Sequence, residues 1–250
     1  MMYFHLLTLV CICTSVIAAL PISLHSQQNT SDSSLKKNLD SISSLFSKKM
    51  PPDRAAAYEQ GIADVAGTGV LEKALKVGGK APNFTLPNAQ GGKTTLSSLL
   101  AKNVVVLTFY RGGWCPYCNM QLRAFQQQIS EFRAAHATIV AISPEMPDSS
   151  LKTVEKNKLQ FEVVSDVGNK VAHQYGVVYS LPERLKAGSS SRLKNYNGAE
   201  GAGELPIAAT YVIDSDGTIT FAYLNADYRK RAEPSDILYH LKELARKKMR

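Results

Sequence analysis

The sequence predicts an α/β fold in which a mixed sheet is flanked by helices. Three β-type runs, at residues 104–110, 138–142 and 161–165, alternate with helical patterns. A hairpin is expected next, with strands at 208–214 and 218–224 around the tight-turn sequence Asp-Ser-Asp-Gly. The chain closes with a predicted amphipathic helix, whose apolar face carries Ile237, Leu238, Leu241 and Leu244.

The region before the first long strand is predicted to form a helical arm. Two short helices are expected between residues 35 and 76, because apolar residues recur at helical spacing on either side of Pro51-Pro52. Residues 77–99 predict two short strands around a Gly-rich turn, followed by a brief helix. We therefore predict a linker and arm over 27–76, followed by one domain over 77–250.

The stretch between Lys186 and Glu204 is rich in Ser, Gly and Asn. This composition predicts a mobile surface loop. A lid over the cysteines described next is the alternative.

The chemistry of the chain is predicted to centre on Cys115-Pro-Tyr-Cys118. The motif follows a β run and two glycines and precedes a helical pattern, so Cys118 should lie in the first turn of a helix. Cys115 should lie in the turn just before it. Unpaired N–H groups and the positive end of the helix dipole stabilise a thiolate there. Such a position lowers a cysteine pKa from about 8.5 to as little as ~3.5–7.5, which produces a nucleophile at neutral pH.

A buried structural pair and half of a zinc site are the alternatives to a redox role for these cysteines. Zinc usually needs four ligands, and the sequence has neither a second Cys-x-x-Cys nor a His-x₃-His nearby. A strand before the motif and a helix after it favour the redox interpretation. No metal and no organic cofactor is implied.

Composition and charge exclude several classes of protein. A hydrophobic content of 44% and a charged content of 20% are those of a globular protein, neither disordered nor collagen-like. A net charge of +8 is typical of many proteins that bind nucleic acids. Most of the excess, however, lies in one terminal stretch after Tyr228, which ends in the predicted terminal helix. We expect a solvated helix face there and no nucleic-acid binding.

The N-terminus predicts a signal peptide. Residues 6–20 are apolar and uncharged and end at Pro21, and this run is short for a membrane span, which needs about 20 residues. Cleavage after Ala18 or Ala19 would fit, and residues 1–26 are therefore assigned to the signal and a polar start. The protein is then exported or secreted (periplasmic, lumenal or extracellular) with no stable membrane insertion. A retained anchor is the alternative.

Cleavage would also decide which cysteines remain. Cys11 and Cys13 lie in the apolar run, so the mature chain would keep only the motif pair. That number excludes a small scaffold held together by disulfides. The two motif cysteines would have each other, or external thiols, as partners.

Several stretches between residues 77 and 244 resemble the AhpC/TSA peroxiredoxin family of the thioredoxin fold. They are Val-Gly-Gly-Lys-Ala-Pro-Asn-Phe-Thr-Leu from residue 77, the strand that leads into the cysteine helix, and Thr-Tyr-Val-Ile-Asp-Ser-Asp-Gly-Thr-Ile at 210–219. More narrowly, Phe-Tyr-Arg-Gly-Gly-Trp-Cys-Pro-Tyr-Cys-Asn at 109–119 and Asp-Tyr-Arg-Lys-Arg-Ala-Glu-Pro at 227–234 resemble its peroxiredoxin-like branch. The resemblance implies a thioredoxin-like fold with an N-terminal helical arm.

The resemblance also implies roles for individual residues. The family's usual site is Pro-x-x-x-Thr/Ser-x-x-Cys with a distant Arg, and a gapless alignment places its peroxidatic cysteine on Cys118. In that alignment Arg111 replaces the Pro, Cys115 replaces the Thr, and Ala208 replaces the distant Arg. Thr and Arg normally bind the peroxide oxygens and favour the thiolate. Arg111 or Arg231 would have to supply the missing charge.

A thioredoxin-type alignment of Trp-Cys-x-x-Cys competes with this one. It makes Cys115 the exposed attacking thiolate and Cys118 the buried resolving cysteine. It needs one extra residue before Trp114, so the gapless peroxiredoxin alignment is preferred. Both alignments select the same two cysteines with exchanged roles.

We therefore expect a thiol-dependent peroxidase that reduces hydrogen peroxide or alkyl hydroperoxides. Cys118 would attack the peroxide, Cys115 would form a disulfide with it, and a thioredoxin-like or small-thiol reductant would reduce that disulfide. The alternatives are a thiol–disulfide oxidoreductase of thioredoxin type and a non-catalytic redox or binding module. The sequence specifies no oligomeric state.

Overall fold

The computed structural model describes residues 34–199 and 202–250, which lie in one compact unit. The predicted signal peptide lies outside the described residues. Its cleavage and the predicted domain boundaries stay predictions.

The described part of the chain forms ten helices and nine strands. In chain order the helices are α1 (Leu35–Lys49), α2 (Pro52–Ala66), α3 (Val70–Lys73), α4 (Leu96–Leu100), α5 (Pro116–Gln127), α6 (Ile129–Ala134), α7 (Pro147–Asn157), α8 (Lys170–Gln174), α9 (Glu183–Asn197) and α10 (Pro234–Lys248). The strands are β1 (Thr85–Pro87), β2 (Lys93–Thr95), β3 (Val104–Phe109), β4 (Ala137–Ser143), β5 (Glu162–Ser165), β6 (Val178–Ser180), β7 (Glu204–Pro206), β8 (Ala208–Ile213) and β9 (Ile219–Asn225).

A five-stranded mixed sheet forms the centre, in the order β5-β4-β3-β8-β9. Strands β5, β4 and β3 are parallel, whereas β8 and β9 run antiparallel, as the alternating and hairpin patterns predicted. Two small antiparallel pairs, β1-β2 and β6-β7, lie outside this sheet. The predicted mixed α/β fold is confirmed.

Strand β3 is buried on both faces, and this determines where the cysteine motif lies. Val105 and Leu107 belong to one apolar cluster, whereas Val106 and Tyr110 belong to the other. Successive side chains of a strand point to opposite faces, so a central strand covered on both sides is a continuous apolar run. The strand therefore ends in the middle of the molecule, where the cysteine motif begins.

The N-terminal arm is present as two helices, α1 and α2, that are separated at Pro51. The segment after β9 connects both of them to the domain. Glu233 accepts a hydrogen bond of 3.1 Å from the backbone N–H of Leu35, at the start of α1. Lys230 pairs with Asp40 of α1 at 3.2 Å, and Arg229 pairs with Glu59 of α2. The segment at 227–234 thus connects the arm to the domain.

The expectation of a mobile loop between Lys186 and Glu204 is wrong, because most of the stretch belongs to helix α9. Its Leu193 is buried, and its Leu185 packs so closely on α2 that a Cβ at Gly61 would come within 2.7 Å of it. Tertiary packing of a few leucines therefore overrides the low helix propensity of Ser and Gly.

The terminal helix α10 has the predicted amphipathic character. Ile237, Leu238 and Leu241 are buried, whereas Lys242 and Lys247 are exposed. A solvated basic face of this kind supports the expectation that the tail binds no nucleic acid, which stays a prediction. Among the described residues, no helix is long and apolar enough to cross a bilayer.

Candidate active site

The two cysteines lie at the point where the loop after β3 leads into α5. Cys115 is the residue that caps the start of α5, Pro116 is the first residue of the helix, and Cys118 is the third, within the first turn. Proline is favoured at this first position because its missing N–H would have no helical partner. Cys118 is fully buried, and Cys115 is almost so. Both are free thiols.

Two glycines let the preceding loop pass close to buried side chains. Gly112 has a φ of 139°, which favours glycine, and the Gly113 N–H donates to Glu145 Oε1 at 2.9 Å. A Cβ on Gly113 would come within 2.0 Å of Thr153 Oγ1. From the other side, Asn119 Nδ2 donates to the carbonyl oxygens of Gly113 at 2.7 Å and of Cys115 at 3.0 Å. The loop that carries Cys115 is therefore fixed on both sides.

Replacing Gly113 with alanine should lower the free energy of unfolding by about 1–3 kcal/mol, because overpacking displaces Thr153 or the loop. Denaturant unfolding of the reduced protein measures the change. Gly203→Ala is the matched control, since a Cβ there meets nothing within 4 Å. Equal stability of the two variants would contradict the tight fit.

Arg231 is the charged group that contacts Cys118. Its Nη2 donates to Cys118 Sγ at 3.2 Å, and its Nη1 donates to the carbonyl oxygens of Tyr228 and, at 2.7 Å, of Lys230. The backbone carbonyls therefore orient the guanidinium so that Nη2 points at the sulfur. Hydrogen bonds from a charged donor stabilise an anion more than neutral ones do.

Arg111 belongs to the loop between β3 and α5, and its guanidinium packs against two aromatic rings. Its guanidinium carbon lies 4.4 Å from the Tyr228 ring centre and 5.0 Å from that of Trp114. Its Nε is buried without a hydrogen-bond partner in the described part of the chain. The positive charge is held near the cysteines by cation–π contacts instead of a carboxylate.

These contacts give the two thiols different acidities. Burial alone would raise the pKa of Cys118. A hydrogen bond with Cys115, the charges of Arg231 and then Arg111, and the Arg111 backbone N–H outweigh burial and hold the pKa of Cys118 well below its ordinary value. Burial raises the pKa of Cys115 well above its ordinary value, and the neighbouring Cys118 adds to this. These contacts therefore favour the thiolate form at Cys118 over that at Cys115.

A cavity of about 290 Å³ leads from the surface to Cys115. It is mostly apolar, and Arg111 is the cation in its wall. The arm, the cysteine loop, α9 and β7 contribute the remaining wall, which includes Phe46, Met50, Tyr58, Trp114, Leu185, Leu193 and Leu205. The arm and α9 therefore form a wall of the active-site entrance.

The structure thus brings together all four residues predicted from the sequence, Cys115, Cys118, Arg111 and Arg231. Ala208, which aligns with the usual family arginine, is buried at the start of β8 and supplies no charge. Sequence reasoning missed Glu145. Glu145 belongs to no motif. The one signal in the sequence is its position, because it places an acidic residue just after a predicted buried strand. No cluster of three metal-ligating side chains occurs among the described residues.

Comparison with known proteins decides the family. The profile of the AhpC/TSA family matches residues 77–222. The chain belongs to this family. It is a thiol peroxidase of the peroxiredoxin type, and its fold is the thioredoxin-like peroxiredoxin fold.

Relatives of this peroxiredoxin include plant proteins. The chloroplastic peroxiredoxin Q of Sedum lineare is 31% identical over 68% of this chain and 80% of its own length. That of Triticum aestivum is 32% identical over 64% of each chain. Among solved structures, peroxidoxin BcpB from Mycobacterium tuberculosis is 25% identical, with a TM-score of 0.55 over 68% of this chain and 98% of that one.

Proposed function

We propose that this peroxiredoxin reduces hydroperoxides with Cys118 as the peroxidatic cysteine and Cys115 as the resolving one. The observation that carries the proposal is the 3.2 Å contact between Arg231 Nη2 and Cys118 Sγ. Only the deprotonated sulfur is a strong nucleophile, and this contact favours that form at Cys118. Among the described residues no arginine forms such a contact with Cys115, and burial raises the pKa of Cys115.

In the first step the Cys118 thiolate attacks the terminal oxygen of the hydroperoxide. An S–O bond forms, the O–O bond breaks, and the sulfur becomes a sulfenic acid while an alkoxide or hydroxide leaves and takes up a proton. Arg231 and Arg111 are the cations beside the sulfur that can stabilise the charge that shifts to oxygen. Both supply positive charge to Cys118, whereas Ala208 has none.

In the second step the Cys115 thiol attacks the sulfenic sulfur of Cys118. The S–S bond forms and water leaves, which carries the thiol proton and the hydroxyl group. Cys115, at the start of α5, and Cys118, three residues further on, share a side-chain hydrogen bond, so the two sulfurs already lie close together. A thioredoxin-like protein or a small thiol then reduces the disulfide.

The test is consumption of hydrogen peroxide and of cumene hydroperoxide by the full chain in the presence of thioredoxin or dithiothreitol. We expect turnover that requires the thiol. Since Trp114 is the single tryptophan and borders Cys115, its fluorescence should follow each oxidation step. Absence of any peroxide-dependent change in the reduced protein would contradict the proposal.

One observation favours a thiol–disulfide oxidoreductase as the second candidate. Cys115, and not Cys118, lines the cavity. This is the accessibility that the thioredoxin-type alignment requires of its attacking cysteine. Reduction of insulin at a rate comparable to that of thioredoxin, with peroxide left unconsumed, would favour this candidate.

We further propose that the protein is exported by its N-terminal signal peptide and acts outside the cytosol, without stable membrane insertion and without nucleic acid. The uncharged apolar run that ends at Pro21 supports export. N-terminal sequencing of protein from its native host tests this, and a retained Met1 would contradict it.

A further inference from the structure

A buried carboxyl group lies beneath the cysteine loop and has no part in the steps above. Glu145 follows β4 at the edge of the sheet where β3 leads into the loop, and none of it is exposed. No lysine, arginine or histidine in the described ranges forms an ion pair with it. Burying a carboxylate without a cation is costly, and such groups neutralise by keeping their proton.

The surroundings of Glu145 fit a neutral acid. Its Oε1 accepts the Gly113 N–H at 2.9 Å, as a carbonyl oxygen would. Its Oε2 lies 3.2 Å from the Tyr110 hydroxyl and 3.3 Å from that of Thr153. Thr153 has one hydroxyl proton and also lies 3.1 Å from the carbonyl oxygen of Ser149. Because Thr153 can use its proton on that carbonyl, the acid proton on Oε2 is available to the Tyr110 hydroxyl 3.2 Å away.

Electrostatics point the same way. Burial raises the pKa of Glu145, and the nearby Cys118 charge raises it further, whereas its three hydrogen bonds only partly offset this. The groups that act on Glu145 are therefore Tyr110, Cys118 and the donors from the loop and α7. Once Cys118 is oxidised its negative charge disappears, so the proton on Glu145 becomes easier to release.

Tyr110 offers a route for that proton. Its hydroxyl contacts Glu145, and its ring belongs to the same buried cluster as Cys115 and Cys118. Burial raises the pKa of Tyr110 well above its ordinary value, and the charge of Cys118 contributes. The phenol therefore keeps its own proton and passes one on when it accepts another from Glu145.

We propose that Glu145 supplies, through the Tyr110 hydroxyl, the proton that the departing alkoxide takes up when Cys118 is oxidised. This rests on the proposed role of Cys118 as the nucleophile. In the step, the Cys118 thiolate, the Glu145 carboxylic acid and ROOH give Cys118 sulfenic acid, Glu145 carboxylate and ROH. The sulfur loses two electrons to the O–O bond, and the net charge of the buried site stays the same.

The proton returns when the disulfide is reduced. Two external thiols become one disulfide and release two protons. One of these stays on the Cys115 thiol, and the other returns to Glu145, while Cys118 leaves as the thiolate. The cycle therefore ends with the same protons in place and needs no reactant beyond the peroxide and the thiols.

The test compares leaving groups in single turnovers of the reduced full chain, followed by Trp114 fluorescence. tert-Butyl hydroperoxide expels an alkoxide that needs a proton, whereas peracetic acid expels acetate, which departs as the anion. Glu145→Gln keeps the size and hydrogen bonds but has no acidic proton. We expect it to slow the reaction with tert-butyl hydroperoxide by about 10²–10⁴-fold, which is the usual effect of losing a general acid. The reaction with peracetic acid should slow by less than about 3-fold, because its leaving group needs no proton.

Tyr110→Phe should show the same selective loss, which keeps the proposal testable if Glu145→Gln folds poorly. Asp166→Asn is the matched control. Asp166 is another buried carboxyl whose pKa burial raises, but it accepts backbone N–H groups of Val171 and Ala172 away from the cysteines. Equal slowing by both peroxides, or no slowing in either variant, would overturn the proposal. A Cys118→Ser variant that still reacts with peracetic acid would instead overturn the role of Cys118.

Discussion

Replacing Cys118 with serine should reduce peroxide consumption to the rate seen without protein. Serine keeps the size of the side chain, but its hydroxyl is not ionised at neutral pH, so the contact with Arg231 no longer meets a thiolate. Removing a covalent nucleophile from other enzymes costs orders of magnitude in rate, and we expect a loss of at least about 10³-fold. Stopped-flow fluorescence of Trp114, with a sulfenic-acid probe such as dimedone, measures the effect.

Cys115→Ser is the matched variant, because it changes the neighbouring thiol in the same helical turn. It should still form a dimedone-reactive sulfenic acid on Cys118 in a brief exposure to peroxide, but without progressing to a disulfide. Turnover with thioredoxin should stop after this first step. If Cys115→Ser fails to label and Cys118→Ser labels, the roles are exchanged and the thioredoxin-type alignment describes the protein.

Local sequence patterns were sufficient to place the cysteines and the framework that holds them. An apolar run that ends in two glycines and continues as Cys-Pro-Tyr-Cys requires a strand, a turn and a helix within one short stretch. The structure has these as β3, the loop and α5. The two arm helices were equally predictable, because Pro51 and Pro52 end one helical pattern and begin the next.

Contacts between distant segments could not be predicted in the same way. Arg111 and Arg231 were equal candidates in the sequence, and only the return of the chain after β9 brings Arg231 onto Cys118. Glu145 reaches Gly113 across 32 positions, and no periodicity encodes that contact. Helix α9 was missed for a related reason, since its stability comes from packing against α2 and not from its own residues.

Arg231 links the two motifs at 109–119 and 227–234, because it belongs to the second and contacts Cys118 of the first. In the family pattern the arginine precedes the strand that corresponds to β8, where this chain has the buried Ala208. Here Arg231 reaches the sulfur from the segment after β9, and neighbours of Arg231 in that same segment hold α1 and α2. The charge beside Cys118 and the attachment of the arm therefore come from one stretch of chain.

Replacing Arg231 with glutamine should raise the pKa of Cys118 and lower the rate of its oxidation at neutral pH. A hydrogen bond to a charged group contributes about 1.5–3 kcal/mol, which corresponds to a loss of about 10–100-fold. The sign follows from the thiolate, which Arg231 stabilises and which the variant holds less well, so activity should recover as the pH rises through the new pKa. Thiolate absorbance and single-turnover rates, both measured across pH, report the two effects.

Arg229→Gln separates the loss of this contact from a general loss of positive charge. Arg229 lies two residues away in the same segment, but it pairs with Asp227 and Glu59 and not with a cysteine. It should leave the thiolate titration unchanged. Arg111→Gln should raise the pKa of Cys118 less than Arg231→Gln, because its charge contributes less. If Arg231→Gln titrates like the unmodified protein, the contact does not set the acidity of Cys118, and the peroxidatic role loses its main support.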